Sequence, residues 1–410
     1  MTGQIVIAGA GVAGATAART LRTAGYTGRI VLVGAEDCAP YRRPMVSKDL
    51  LAGTRTADRS FLEPEKHWAE NDIDLRLATT VTDIDTERGR VWLSDGAVLG
   101  YDSLLLATGA RARRLEQHPP VRVRTLRGVA DIAALREAIE TGPLLIVGAG
   151  LVGLEVAATA RGLGAEARVL NAAAGPLDRV VPQAISAWVQ DLHAEHGVRI
   201  DNEVRLAAVE QIDAHGVLAT ATDGRTWTAS SALVAIGAEP DTALARTAGI
   251  AVDDGILVDE QYRTSAPGVF AAGDAARRFT AHRGRHERGE HWNSALTQGA
   301  EAAKSILGQP VTDIEIPWGW STQYGVNLQF AGWPQPHEEL IIRGSLESRN
   351  FTALALSDST LVGAIAVGRP KDLRAARELI ATRTALPSTE WADESLDLAE
   401  LVQPHSHARR

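Results

Sequence analysis

The stretch "LLIVGAGLVGLEVAATARGLGAEARVLN", residues 144–171, decides the fold. It opens on an apolar run of strand length. Gly148, Gly150 and Gly153 then stand as Gly-x-Gly-x-x-Gly, a helical run follows, and a second strand ends at Asn171. Strand, glycine turn, helix and strand in that order make a dinucleotide-binding unit. The first glycine permits the tight turn, the second lets the backbone approach a pyrophosphate, and the third lets the helix pack on its strand. The helix N-terminus offers unpaired N–H groups and a positive dipole end to the phosphates. An acidic residue normally ends such a unit by taking the adenosine ribose hydroxyls. Here Asn171 stands in that place.

An earlier copy, "QIVIAGAGVAGATAARTLRTAGYTGRIVLVGAE", occupies residues 4–36. Its first strand, "IVIAG", is apolar on both faces and β-branched, as a buried parallel strand requires. Gly9, Gly11 and Gly14 repeat the glycine spacing, and Glu36 lies at about the distance expected of a ribose-binding acid. Two dinucleotides in one chain suggest electron transfer between them, usually between FAD and a nicotinamide nucleotide.

The rest of the composition is that of an ordinary globular protein. A chain of 410 residues is too long for one core and predicts two or three domains. Apolar residues make up 45% and charged residues 23%, and the longest apolar runs, such as "LLLATGA", are too short to span a bilayer. Met1 leads almost directly into a strand, so no signal segment is expected. A single cysteine, Cys38, excludes an internal disulfide framework and any Cys-x-x-Cys redox pair. A cytoplasmic location is expected. The net charge of −9 argues against nucleic-acid binding, though a local basic patch could still meet one acidic partner. His282, His286 and His291 lack metal-ligand spacing, "HSH" near the C-terminus reads as solvated tail, and no serine sits in a nucleophile elbow.

A third segment, "YRTSAPGVFAAGDAA" (262–276), resembles the second flavin-binding segment of two-dinucleotide flavoproteins, whose aspartate, here Asp274, hydrogen-bonds the ribityl chain. "YDSLLLATGARARRL" and "ALVAIGAEPDTAL" resemble the strands that leave and re-enter the flavin domain. FAD therefore belongs to the first copy and a nicotinamide nucleotide to the second. With "PYRRPMVSKDLL", "GEHWNSALTQG", "PWGWSTQYGVNLQFAG" and "LVGAIAVGRPKDLRAARELI" added, the chain resembles, over essentially its whole length, the flavin-dependent ferredoxin reductases serving Rieske oxygenases and bacterial cytochromes P450.

The resemblance implies an α/β chain with two Rossmann-like dinucleotide-binding domains and a C-terminal α+β domain. The FAD domain would comprise 1–113 and 233–312, the NAD(P) domain 114–232, and the C-terminal domain 313–410. "FTALALSDSTLVGAIAVGR" supports the last, as two apolar strands around a Ser-Asp-Ser turn. "KDLRAARELIATRT" reads as an amphipathic helix with Leu373, Ala376 and Ile380 on one face.

The resemblance also implies roles for single residues. Lys48 would lie near the isoalloxazine, paired with Glu155, to stabilise the reduced ring; both also read as solvated charges. Ala13, Arg43 and Val81 join the cofactor-binding residues, with either Arg111 or Arg113. Trp292 would screen the flavin or serve as plain core, and Glu290 would reach the nicotinamide amide. Asp274 also reads as a helix cap. Trp318, Trp320 and Tyr324 would close one side of the flavin site. The chain departs from the family pattern at Met45, Val46, Gly319 and Thr322.

The implied reaction passes a hydride from NAD(P)H, with NADH preferred by a narrow margin, to FAD, and single electrons onward to an iron–sulfur ferredoxin. An acidic ferredoxin would dock near Arg369, Lys371, Arg374 and Arg377 of the C-terminal domain. A redox-sensing flavoprotein related to apoptosis-inducing factor, or an oxidoreductase acting on a small molecule, remains open at this point.

Overall fold

The computed structural model describes residues 3–115, 122–212, 216–281, 284–311, 316–332 and 339–402. The chain divides into two compact units. The first comprises Met1–Val46, Arg55–Ala112 and Ala238–Asp313; the second comprises Ser47–Thr54, Arg113–Gly237 and Ile314–Arg410.

At the centre of the first unit lies a five-stranded parallel sheet. Its order is Val269–Ala271, Ser103–Leu106, Gln4–Ala8, Arg29–Val33, Ile73–Arg76. The strands are nearly continuous aliphatic runs because both faces are covered: Val6, Ile7, Leu32, Leu104 and Leu105 are fully buried. Helix Val12–Thr23 follows the first strand and packs against helix Trp292–Ile306. Their close approach depends on small residues, since a Cβ on Gly299 would lie 2.2 Å from the Ala13 carbonyl oxygen. A three-stranded antiparallel sheet, Val81–Asp85, Arg90–Leu93 and Val98–Gly100, completes this unit's larger features.

The second unit repeats this plan. Its parallel sheet runs in the order Arg199–Asp201, Ala167–Leu170, Leu144–Val147, Ser231–Val234, Val123–Arg124. It too is followed by a three-stranded antiparallel sheet, Leu206–Gln211, Val217–Ala221 and Thr226–Ala229. The internal repeat thus extends well past the glycine turns.

The same unit contains an antiparallel five-stranded sheet ordered Trp318–Gln323, Val326–Ala331, Thr360–Val367, Asn350–Ser357, Glu339–Ser345. The two apolar strands around Ser-Asp-Ser are its central pair. Helix Pro370–Ala381 lies on it with Leu373 and Ala376 buried and Ile380 packed at the margin. Trp391 is fully buried there and donates from Nε1 to the Ser359 carbonyl at 3.1 Å. Helix Gln183–Glu195 ties the parallel sheet of this unit to its five-stranded antiparallel sheet. Its Trp188 meets Phe351 edge-on at 5.3 Å and donates to the Leu346 carbonyl at 3.0 Å, while Glu195 pairs with Arg349.

Among the described residues no helix is long and apolar enough to cross a membrane, and no cluster of His, Cys, Asp and Glu could hold a metal ion. His282 and the "HSH" tail lie outside the described residues.

Candidate active site

The two glycine turns show directly what they are built to approach. Gly9 has φ +117°, and a Cβ there would lie 2.0 Å from the Ala107 carbonyl oxygen. A Cβ on Gly14 would lie 1.9 Å from the Gly9 oxygen. A Cβ on Gly11, between them at the helix N-terminus, would meet no atom within 4 Å. In the second unit Gly148 has φ +107° and its Cβ would lie 2.4 Å from the Ala235 oxygen. The corresponding distance for Gly153 is 2.1 Å from the Gly148 oxygen, and Gly150 again faces no atom within 4 Å. In both turns the outer glycines are demanded by the protein's own backbone. The middle one keeps a surface bare beside unpaired helical N–H groups, which fits a pyrophosphate.

Around the first turn, three separate segments of the first unit converge. Gly273 ends strand Val269–Ala271 with φ +77°, and its Cβ would come within 2.9 Å of the Ala13 Cβ. Its N–H donates to Gln298 Oε1 at 2.9 Å. Asp274 follows in a short 3-10 turn, where its carboxylate acts electrostatically on Arg43 and His291. Burial pushes the His291 imidazole down to about 4 against the pull of Asp274, so it is neutral near pH 7. Trp292 begins helix Trp292–Ile306 directly after it. Glu36 accepts from Tyr41 Oη at 2.7 Å and from Arg43 Nη2 at 2.5 Å, and the Arg43 guanidinium lies 5.0 Å from the Tyr41 ring centroid.

The other expected residues of this unit are more scattered. Val81 pairs with Leu93 in the small antiparallel sheet and packs, half-buried, against the core. Arg111 is exposed and pairs with Asp241 at 2.8 Å. Glu290 pairs with Arg288 at 2.5 Å.

In the second unit the end of the nucleotide-binding strand differs sharply. Asn171 is buried, and its amide is bonded within the protein. Nδ2 donates to Asn202 Oδ1 at 2.9 Å and to the Ala173 carbonyl at 3.2 Å, while Oδ1 accepts from the Ala173 N–H at 3.4 Å. Arg168, three residues earlier on the strand, is held by Asp201 at 2.5 Å.

Lys48 and Glu155 belong to this unit and meet. Lys48 Nζ lies 2.6 Å from Glu155 Oε2, and Glu155 is only 5% exposed. Ser47 Oγ donates to the same Oε2 at 2.5 Å and Ser321 Oγ donates to Oε1 at 2.7 Å. Thr159 Oγ1, one turn along helix Leu151–Gly162, donates to the Ser47 carbonyl at 2.8 Å and fixes the lysine-bearing segment. A buried carboxylate is tolerable when its charge is paired and its lone pairs are filled, as here. Neither residue is the solvated surface charge that the sequence alone allowed.

Ser47, Tyr41 and Ser321 are contributors that sequence reasoning passed over. Ser47 and Tyr41 lie within "PYRRPMVSKDLL", but their residue types alone give them no role there. Ser321 is far from Glu155 in the chain, and no spacing rule links them. The aromatic segment is split. Trp318 and Trp320 lie side by side at 5.9 Å, with Arg377 over Trp318 at 4.7 Å, while Tyr324 turns onto two histidines.

Known proteins are similar to this chain in sequence and in fold. The family model described as pyridine nucleotide-disulphide oxidoreductase matches residues 3–299, and that described as reductase C-terminal matches 318–402. The ferredoxin–NAD(+) reductase subunit of the benzene 1,2-dioxygenase system of Pseudomonas putida is 36% identical, covering 98% of each chain. The corresponding component of the biphenyl dioxygenase system of Paraburkholderia xenovorans is 37% identical over 98% of this chain and 99% of that one. The crystal structure of the covalent putidaredoxin reductase–putidaredoxin complex superposes with TM-score 0.92 at 34% identity, covering 98% of both chains. The chain belongs to the pyridine nucleotide-disulphide oxidoreductase family, among its ferredoxin–NAD(+) reductases.

Proposed function

We propose that this protein is an NADH:ferredoxin reductase of a P450 or Rieske oxygenase system. FAD is held by residues of the 1–113 and 233–312 segments, with Gly9, Gly11, Gly14, Glu36, Arg43 and Asp274 around it. NADH is held within 114–232 at Gly148, Gly150 and Gly153. With both bound, NADH would supply a hydride that FAD would accept, and FAD would pass its two electrons on singly. The observation that carries this reading is that the chain has two glycine turns of one build but only one cysteine, Cys38. Burial pushes the Cys38 thiol up, with Glu36 and Asp37 adding to it, which is the opposite of a reactive thiolate. Electrons therefore leave through an external carrier rather than through a dithiol.

The chain's own residues set the conditions for that transfer. Lys48, held by Glu155, would place a positive charge beside the flavin ring and so favour its reduced, anionic form. Trp292 and His291, the latter neutral, screen the flavin from bulk water. The carrier is an acidic iron–sulfur ferredoxin that docks near the C-terminal sheet, where Lys371 and Arg374 are exposed on helix Pro370–Ala381.

Steady-state cytochrome c reduction by NADH, with and without an added [2Fe–2S] ferredoxin, tests the reading. A reductase gives a rate that rises at least tenfold with ferredoxin. A rate independent of ferredoxin would point instead to a small-molecule oxidoreductase or a redox sensor.

A further inference from the structure

Tyr324 and Gly325 form the two-residue turn between strands Trp318–Gln323 and Val326–Ala331, and both have positive φ, +51° and +77°. Such a turn favours Gly, Asn or Asp, and a tyrosine at its first position is strained. Strained backbone persists where something else over-determines it. Here the side chain does so. The ring stacks on His196 at 3.7 Å between centroids and meets His193 edge-on, and its hydroxyl lies 3.0 Å from His193 Nδ1.

From that hydroxyl a chain of hydrogen bonds runs inward without a break. His193 Nε2 lies 2.7 Å from Gln323 Oε1, Gln323 Nε2 lies 3.0 Å from Ser321 Oγ, and Ser321 Oγ lies 2.7 Å from Glu155 Oε1. His193, Gln323, Ser321 and Glu155 are all buried. The direction of every bond follows from the inner end. The ion-paired carboxylate can only accept, so the Ser321 hydroxyl donates a hydrogen bond to Glu155 and must itself accept from the Gln323 amide. The Gln323 oxygen then faces His193, which donates from Nε2. Burial pushes His193 down to about 4, against its bond to the Gln323 oxygen, so the ring is neutral and Nδ1 is an acceptor. Tyr324 supplies the proton that Nδ1 needs. All four donors thus point towards Glu155.

We infer that Tyr324 is a positioning residue for the Lys48–Glu155 pair, acting through His193, Gln323 and Ser321. The chain fixes the Ser321 hydroxyl on Oε1, which leaves Oε2 for Ser47 and Lys48. Breaking it frees the serine rotor, lets the carboxylate turn, and loosens the ammonium. The effect on flavin chemistry rests on the proposed placing of Lys48 beside the flavin; the effect on Lys48 itself does not.

The test uses the holoprotein with Tyr324→Phe, which keeps the ring and both histidine contacts, and Gln323→Met, which breaks the chain one link further in. Two quantities are read: carbamylation of Lys48 by cyanate, followed by peptide mass spectrometry, and the limiting rate of flavin reduction by NADH. Both variants are expected to raise Lys48 carbamylation at least threefold. They should lower the limiting rate three- to tenfold with the NADH dissociation constant unchanged within twofold. In a Glu155→Gln background neither substitution should add to the effect of Glu155→Gln. Carbamylation unmoved in both variants, or effects that persist at full size in the Glu155→Gln background, would overturn the inference. Faster carbamylation with an unchanged reduction rate would uphold the chain and overturn the placing of Lys48 at the flavin.

Discussion

The two glycine turns of this chain are alike at the phosphate end and unlike at the ribose end. At Gly9 and Gly148 the backbone takes nearly the same left-handed conformation, φ +117° and +107°, and each glycine abuts the carbonyl of a neighbouring strand end. Thirty or so residues of physics repeat because a tight turn, a close helix and an approachable N-terminus admit only glycine at those places. The ribose end has no such backbone constraint, so its side chains have diverged. Glu36 keeps a carboxylate, braced by Tyr41 and Arg43. Asn171 spends its amide on Ala173 and Asn202. Cradles are set by sterics, while nucleotide choice is set by polar groups that can change one at a time.

The sharpest way to break this parallel is at the outer glycines. Gly9→Ala and Gly148→Ala each drive a Cβ into a carbonyl oxygen at 2.0 and 2.4 Å and impose left-handed strain. Gly9→Ala is expected to abolish flavin retention, read from the visible spectrum of the purified protein. Gly148→Ala should leave flavin bound and abolish NADH oxidation.

Next in size is Lys48→Ala, which removes the cation from the buried Glu155. A lost charge-assisted bond is worth about 1.5–3 kcal/mol, or roughly ten- to a hundredfold in rate. Stopped-flow reduction by NADH should slow by that factor, and the flavin midpoint potential should fall. A rate within twofold of wild type would separate Lys48 from the chemistry.

Smaller is the effect at Asn171. A carboxylate gains charge-assisted bonds to ribose hydroxyls and repels a 2′-phosphate, a difference of about 1 kcal/mol or roughly fivefold in affinity. Asn171→Glu is expected to tighten NADH and weaken NADPH by about that factor each. Because the wild-type amide is engaged by Ala173 and Asn202, the wild-type margin of NADH over NADPH should be narrow. Discrimination beyond about a hundredfold in the wild type would show that another group reads the ribose.

Smallest is the docking surface. Arg377 covers Trp318 and Arg369 is bonded to Asn350 and Glu394, so Lys371 and Arg374 are the better charges to reverse. Lys371→Glu with Arg374→Glu should raise the KM for ferredoxin about threefold, flatten its salt dependence, and leave ferricyanide reduction intact. A parallel loss of both activities would make the helix structural instead.

The repeat, both parallel sheets and the C-terminal hairpin were legible because their signals are local. Four-residue apolar strands, glycine spacing and a Ser-Asp-Ser turn each declare themselves within a dozen residues. The surroundings of Glu155 were not. Lys48 and Glu155 were reachable through family motifs, but Ser321, Gln323, His193 and Tyr324 come from two further elements, and nothing in their spacing marks them as neighbours. His193 in particular sits on the buried face of an amphipathic helix, where a histidine reads as core. The internal engagement of Asn171 was equally hidden, since it depends on Asn202, which is brought beside it by the pairing of Ala167–Leu170 with Arg199–Asp201.

The central claim is that the two cradles, alike in build, hold different dinucleotides. Gly11 and Gly150 test it most directly, because a Cβ at either meets no other protein atom within 4 Å and points to the face where the phosphates would bind. Gly11→Val is predicted to purify without flavin. Gly150→Val is predicted to purify yellow, with flavin that dithionite reduces fully but NADH reduces at least a hundredfold more slowly than in the wild type. Flavin lost from Gly150→Val and retained by Gly11→Val would contradict the account.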